Sequence, residues 1–444
     1  MKTESLTSGS IPLHIRRIAL PSSIGLFFQT MYNVVDSFYA GQISTIALAA
    51  MAISFPVFLL IIATSGGLSR GASALIANAI GAGDETKQRR FITQTLSLGF
   101  FASIGMTVVG LLASDPLFRS LGAEGEYLEL AHAYMTPVFI GSIVFVLSSL
   151  SNAILIASGD SRTYSKVLIT GFFLNLILDP WFLYGGFGLP AMGISGIAWA
   201  TVVIQTCGCI YMVNTIVTRG FLDLKCRRHL LPDIRIWLEI LQQGIPASFN
   251  IMSVAFGFFA VTYFLKPYGE STVAAFGVTT RIEQIALLPT FGLYAAIMAL
   301  VGQNNGAGDF DRVRETMRVT NRVGLVLIVV SSVLMFALAV PLMRIFTSDQ
   351  EVIRIGKRYI QIMACIQWSY VMTSTHLAFL QAIKRPFYGF FESPLRKVLL
   401  PLPFLFMLVP EHSVDVVWYT IAGTNVFMTV ITVIYGQVML RRLN

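Results

Sequence analysis

Charge is what this sequence has least of. Lys, Arg, Asp and Glu supply 12% of its 444 residues, against about 25% in an ordinary soluble domain. Hydrophobic residues make up 55%, and the mean hydropathy is +0.72. Too few charges remain to cover a large aqueous surface, which excludes a soluble globular protein. Cysteine is also scarce: Cys207, Cys209, Cys226 and Cys365 are the four. Cys207 and Cys209 form C-x-C inside an apolar run, with no His or second Cys pair beside them. Structural zinc needs four ligands at characteristic spacings, so no metal centre is expected and the pair reads as buried structural thiols. The bases outnumber the acids by eight, but they are scattered along the chain rather than gathered in one patch, so nucleic acid is not an expected partner.

What the sequence has instead is long apolar runs. A spanning helix needs roughly 20 such residues, and about twelve runs of that length are separated by polar or Gly/Pro breaks. The chain is therefore expected to be an all-α polytopic membrane protein with twelve transmembrane helices and the lipid bilayer as its solvent. Its start, "MKTESLTSGSIPLHIRR", is polar, and the first apolar run outlasts a signal core, so no cleaved signal is expected. With both termini cytoplasmic, about 21 bases lie on the inner side and about six outside. Lys87/Arg89/Arg90, Arg227/Arg228, Arg312/Arg314/Arg318 and Arg441/Arg442 all fall on that inner side. A multi-pass protein of the cell inner (plasma) membrane follows.

The chain also repeats. "IGAGDETKQRR" begins at Ile80 and "NGAGDFDRVRE" at Asn305, and one ungapped shift of 225 residues carries Gly81, Asp84 and Arg89 onto Gly306, Asp309 and Arg314. The same shift carries Pro21 to Pro246 and Ala49/Ala50 to Ala274/Ala275. Six spans return the chain to its starting side, so the halves share topology and form two pseudo-symmetric six-helix lobes. The expected limits are 1–218 for the N-lobe (transmembrane helices 1–6), 219–235 for a cytoplasmic linker and 236–444 for the C-lobe (helices 7–12). Two related bundles suit alternating access.

Apart from the initial and terminal regions, four acids fall within spans: Asp36, Asp179, Glu283 and Glu392. A carboxylate in hydrocarbon costs at least about 2.5 kcal/mol on lenient scales. Span 1 carries Gln29, Tyr32, Asn33 and Asp36 as a polar stripe, and Asn175 precedes Asp179 by one turn in span 5. Both aspartates lie about five residues from the outer end of their spans, roughly 7 Å along the axis, so they can meet. Two neighbouring carboxylates in low dielectric cannot both stay ionised cheaply. Such a pair can take and release a proton, or hold Na⁺ with the Asn175 oxygen; the bland reading is two acids solvated at the outer headgroup boundary. Pro21 interrupts span 1 midway, as a bending point or as a packing kink. Glu283 in span 8 sits two residues from Arg281 on a different face, and is either structural or ligand-facing. Glu392 and Arg396, four apart in span 11, read as a local ion pair.

These residues carry a resemblance. The duplicated halves, the "GAGD…R" loops, "YNVVDSFYAG" in span 1, "NLILDP" in span 5 and "SGDSR" at 158–162 together resemble the multidrug and toxic compound extrusion (MATE) family over essentially the whole chain. "AIKRP" at 382–386 departs from the "SGDSR" pattern. The resemblance implies a V-shaped pair of six-helix lobes that exports amphipathic, often cationic compounds in exchange for H⁺ or Na⁺, with no cofactor. It implies that Asp36, Asn175 and Asp179 form the N-lobe cation-coupling site, that Pro21 is the conformational hinge, and that Gln29, Tyr32, Asn152 and Thr201 line the lobe; Glu283, read from the residues, remains the C-lobe candidate. One branch of the family keeps coupling acids in spans 7 and 10. Here "IPASFNIMSVAFGFFAVTYFL" and "YIQIMACIQWSYVMTSTHLAFL" contain neither Asp nor Glu, which implies the DinF-like branch.

The leading expectation is a monomeric cation-coupled efflux antiporter for small amphipathic drugs, H⁺ favoured over Na⁺ because two acids and one amide make a thin cage for a metal ion. The alternative is a lipid or oligosaccharide flippase of the same superfamily, expected to carry more cations in its cavity. An enzyme is not expected, since no nucleophile–base constellation stands out.

Overall fold

The computed structural model describes residues 6–222, 232–409 and 413–443. Residues 223–231 of the expected linker, with Cys226, Arg227 and Arg228, lie outside the described residues. The first half comprises α1 (Ile11–Ile43), α2 (Thr45–Gly81), α3 (Glu85–Ser120), α4 (Gly125–Ile140), α5 (Ser142–Ala157), α6 (Arg162–Tyr184) and α7 (Ile194–Thr218). The second comprises α8 (Ile234–Leu265), α9 (Glu270–Ala286), α10 (Leu288–Gly306), α11 (Phe310–Ala337), α12 (Ala339–Arg344), α13 (Gln350–Ala382), α14 (Phe387–Pro394), α15 (Pro401–Leu408) and α16 (Asp415–Arg441). Among the described residues no strand occurs beyond an isolated bridge between Gly186 and Leu189.

Among the described residues, eight single helices are long and apolar enough to cross a bilayer, and two bent pairs qualify together, α4 with α5 at 49° and α9 with α10 at 44°. The breaks fall where a proline removes a backbone donor: Pro137 precedes the first and Pro289 follows the second. The remaining two spans are α13 and the run from α14 to α15. In α13, 33 residues long, Gln and Ser/Thr side chains dilute the hydropathy. The run Phe387–Leu408 is apolar but interrupted by Pro394 and a π turn at Leu395–Leu399. The all-α, twelve-span class follows.

The repeated loop motif has a local cause. Asp84 caps α3 by accepting the Lys87 N–H at 2.8 Å, and Asp309 caps α11 by accepting the Arg312 N–H at 3.0 Å. Gly83 and Gly308 adopt φ of +69° and +75°, a region that favours glycine. The shared "GAGD" thus ends one helix and starts the next in both halves.

Two compact units emerge: Ile24–Ser248, and Phe249–Asn444 together with Ser5–Ser23. Against the expected 1–218 and 236–444, the first part of α1 counts with the second unit and the first part of α8 with the first. Both divisions fall two residues after the paired prolines, Pro21 and Pro246. The packing explains the exchange. In the first unit, Gly71 of α2 lies so close to α8 that a Cβ there would stand 2.7 Å from the Gly244 nitrogen, and one on Gly67 would collide with Ser248. In the second, a Cβ on Gly292 of α10 would collide with Ser23 and the Ala19 carbonyl of α1. Gly67 and Gly292 are related by the 225-residue shift, as are Ser248 and Ser23. Small-residue contacts of this kind hold helices together where lipid removes the hydrophobic driving force. Each unit has its own apolar core, Leu68, Ile76, Ile92, Leu150, Ile154 and Met212 in the first, Phe276, Met343, Ile360, Met363 and Trp418 in the second.

Candidate functional site

Three polar side chains meet inside the first unit. Asp36 on α1 is 4% exposed, and Asn175 and Asp179 on α6 are fully buried. The Asn175 amide nitrogen donates to Asp36 Oδ1 at 2.9 Å and to Asp179 Oδ1 at 2.7 Å. Asn175 and Asp179 are stacked because they lie one helical turn apart; α1 must then bring Asp36 to the same depth, which the sequence spacing anticipates. The carboxyl groups also interact directly, and Thr201 on α7 interacts with Asp36.

The electrostatics of this cluster are one-sided. A primary amide has two hydrogens, and both are engaged. Among the described residues neither Lys nor Arg stands beside the acids: the bases of α6 are Arg162 and Lys166, both on its first turns. A second full negative charge in this buried cluster therefore has no compensating partner from the chain, and needs a proton or a bound cation. The oxygens present are four carboxylate atoms, the Thr201 hydroxyl and Asn175 Oδ1, which is buried and accepts no hydrogen bond. That donor set fits a hard cation as well as a proton.

The remaining sequence candidates divide. Tyr32 is 8% exposed and interacts with both Asp36 and Thr201. Gln29 and Asn152 are half-buried, and among the described residues no hydrogen bond joins either to the acid pair. Asn33, the fourth member of the expected stripe, is exposed: a spacing of three residues from Asp36 is not enough to share its buried face. Cys207 is likewise exposed rather than buried. Pro21 lies within α1, which runs unbroken from Ile11 to Ile43. Glu283 is buried on α9 and accepts a hydrogen bond from Tyr359, while Arg281 is exposed. Glu392 and Arg396 form the expected ion pair at 2.6 Å, and Arg396 also donates to Asn425 at 2.8 Å.

One residue escaped the sequence reading. Tyr134 on α4 interacts electrostatically with Asp36 and Asp179. Its signal was available in the repeat, because the 225-residue shift carries Tyr134 onto Tyr359.

Comparison with known proteins supports the same architecture. The MatE family profile matches residues 21–181 and 246–405, one match in each half, beginning at the two equivalent prolines. A protein named "Probable multidrug resistance protein NorM" from Thermotoga maritima is 30% identical over 365 residues, covering 81% of this chain and 77% of its own. A "FAD transporter" from Shewanella oneidensis is 28% identical over 404 residues, covering 90% and 88%. Among solved structures, an outward-facing multidrug resistance MATE transporter of the MOP superfamily superposes with a TM-score of 0.93 at 25% identity, covering 100% of this chain and 99% of that one. A second, a MOP superfamily transporter from Pyrococcus furiosus described by the reverse polarity of its binding pocket, gives 0.92 at 25% identity with the same coverage. Both halves of the chain thus match one family, to which a relative 30% identical also points: this chain is a member of the MATE family of multi-pass membrane transporters.

Proposed function

We propose that the protein is a proton-coupled exporter of small amphipathic, often cationic compounds, working by alternating access of its two halves in the cell inner membrane, with both termini cytoplasmic and no oligomer required. The observation that carries this reading is the single amide of Asn175 shared between two buried carboxylates. One proton on the pair removes the like-charge repulsion, and its release restores it. A cationic substrate gains from the ionised pair, so proton and substrate compete for one negative charge. That competition is what an antiporter requires. Tyr32 and Thr201 hold the edge of the site, Gln29 and Asn152 line the lobe further away, and Pro21 lets α1 bend below Asp36. Coupling through the first half, with no acid in the central parts of spans 7 and 10, supports a DinF-like branch for the chain.

The test is ethidium efflux from proteoliposomes in Na⁺-free buffer under an imposed ΔpH, with Na⁺ then added at fixed pH. Efflux driven by ΔpH alone is expected. Efflux that requires Na⁺, and ignores ΔpH once Na⁺ saturates, would overturn the proton reading and assign Asp36, Asn175 and Asp179 to Na⁺.

A second reading has its own observation. The Shewanella relative is named for FAD transport over nearly the full length of both chains, which favours a phosphate-bearing anionic cargo. The same vesicles loaded with FAD, and with a fluorescent lipid for the flippase alternative, separate the three cargo classes.

A further inference from the structure

The second unit holds an acid that the coupling scheme leaves unused. Glu283 sits on α9 one turn before the 44° break with α10, and its backbone carbonyl accepts the Leu287 N–H at 3.0 Å, at the end of α9. Its side chain is buried, the whole residue being 8% exposed. The Tyr359 hydroxyl on α13 donates to Oε2 at 3.2 Å. Oε1 is buried and carries no hydrogen bond of normal geometry, although the Tyr370 phenol lies within interaction range.

Among the described residues, no Lys, Arg or His pairs with this carboxyl. Arg281 two residues before it, Lys266 in the turn that precedes α9, Arg344 of α12, and Lys357 and Arg358 of α13 are all exposed. On α10 the titratable residue is Tyr294, and the charged residues of α11 all lie between Asp311 and Arg322, in its first half. Arg396, the base that influences Tyr370, is held by Glu392 at 2.6 Å and by Asn425. A buried carboxylate with one phenol and no countercharge is unfavourable, whereas the neutral acid needs no countercharge. Around it Phe276, Tyr359 and Trp418 pack ring against ring, with centroids 4.8 to 6.0 Å apart. That packing leaves little room for an organic cation. A proton needs none.

The internal repeat supplies a second argument. Tyr359 is the counterpart of Tyr134, which faces Asp36 and Asp179 in the first unit. The counterparts of Asp36, Asn175 and Asp179 are Val261, Leu400 and Phe404, so the second half has lost the acids and kept the tyrosine. A different helix, α9, now brings an acid to that tyrosine. In other transporters, coupling-ion sites are formed by discontinuous spanning helices.

We propose that Glu283, with Tyr359 as its hydrogen-bond donor, is a second proton-carrying site, located in the second half. The acid holds its proton in the present conformation. When the α9–α10 break moves, the O–H bond opens, the proton passes to water and the carboxylate remains. This rests on the transporter reading but not on Asp36 being the coupling acid.

Infrared difference spectroscopy on the full-length protein in lipid nanodiscs tests it, since a protonated carboxyl has a C=O band that shifts in D₂O and a carboxylate lacks it. At neutral pH, Glu283→Gln is expected to lose one such band that Asp36→Asn retains. Tyr359→Phe should keep the band and shift it upward, because one hydrogen bond to the carbonyl is lost; this variant serves even where Glu283→Gln folds poorly. Raising the pH stepwise across an alkaline range should bleach the band as the site opens and the acid ionises. A Glu283→Gln spectrum identical to wild type, a band indifferent to Tyr359→Phe, or one unchanged across that pH range would overturn the proposal. Failure of the first site is distinguishable, because it removes only the bands assigned by Asp36→Asn and Asp179→Asn.

Discussion

Asn175 has two amide hydrogens, and the fate of two acids depends on them. Replacing Asn175 with Ala leaves both carboxyl groups without their donor, which costs about 1.5–3 kcal/mol for a buried charged acceptor. We expect a lower melting temperature and weakened ΔpH-driven efflux, read by thermal unfolding and by ethidium transport on the same preparation. Asp36→Asn keeps the side-chain shape and removes the titration. It should leave a folded protein that exports nothing under ΔpH, and Asp179→Asn should behave alike; efflux at the wild-type rate from folded Asp36→Asn would sink the coupling assignment. At this scale the sequence showed the acids, since an Asp inside an apolar run is visible by its cost. It did not show which amides face them. Asn175 is one turn from Asp179 and could be placed, but Gln29 and Asn152 required knowledge of helix rotation that spacing alone lacks.

At the scale of the element, the repeated "GAGD" is a turn-and-cap device, and it makes a quantitative expectation. Asp84→Ala and Asp309→Ala should each destabilise by about 1 kcal/mol, the usual value of a lost N-cap. The two losses should add in the double variant, because the caps lie in different units and share no partner. Thermal unfolding checks both; a strongly non-additive double variant would mean that the loops act together. The glycine crossings are less forgiving. Gly292→Val places two methyl groups against the Ala19 carbonyl, which cannot rotate away as the Ser23 hydroxyl can. Overpacking of this kind costs about 1–3 kcal/mol, so Gly292→Val should be less stable than Gly423→Val, whose Cβ meets nothing within 4 Å. The sequence hinted at neither break within spans 4 and 8. Pro137 and Pro289 could equally have been tolerated inside straight helices, and tertiary packing decided that they were not.

For the whole molecule, the excess of Lys and Arg on one side of the spans predicts its orientation. In a version with all four cysteines replaced by Ser, a single cysteine at Thr86, exposed on the first turn of α3 just after the first "GAGD", should react with a membrane-impermeant maleimide only after the cells are opened. One at Phe187, fully exposed between α6 and α7, should react in intact cells. The reverse pattern would invert the topology, and with it the direction assigned to export.

Class and repeat were determined by the sequence alone. Apolar runs of spanning length can be satisfied only by helices in a bilayer, where every backbone group must be bonded within its own segment, and an ungapped shift of 225 residues leaves a duplication as its plain explanation. The acids of spans 1 and 5 were also legible, because charge in hydrocarbon is too costly to be incidental. Tertiary structure alone decided the rest. It bridged Asp36 and Asp179 through one amide, turned Asn33 outward, added Tyr134, and brought Glu283 to Tyr359 across 76 residues of sequence. It also counted the first part of α1 with the second half and the first part of α8 with the first. Each of these depends on which faces of which helices meet, and helix rotation and pairing are set by close packing at residues such as Gly67 and Gly292, whose role appears only when their neighbours are in place.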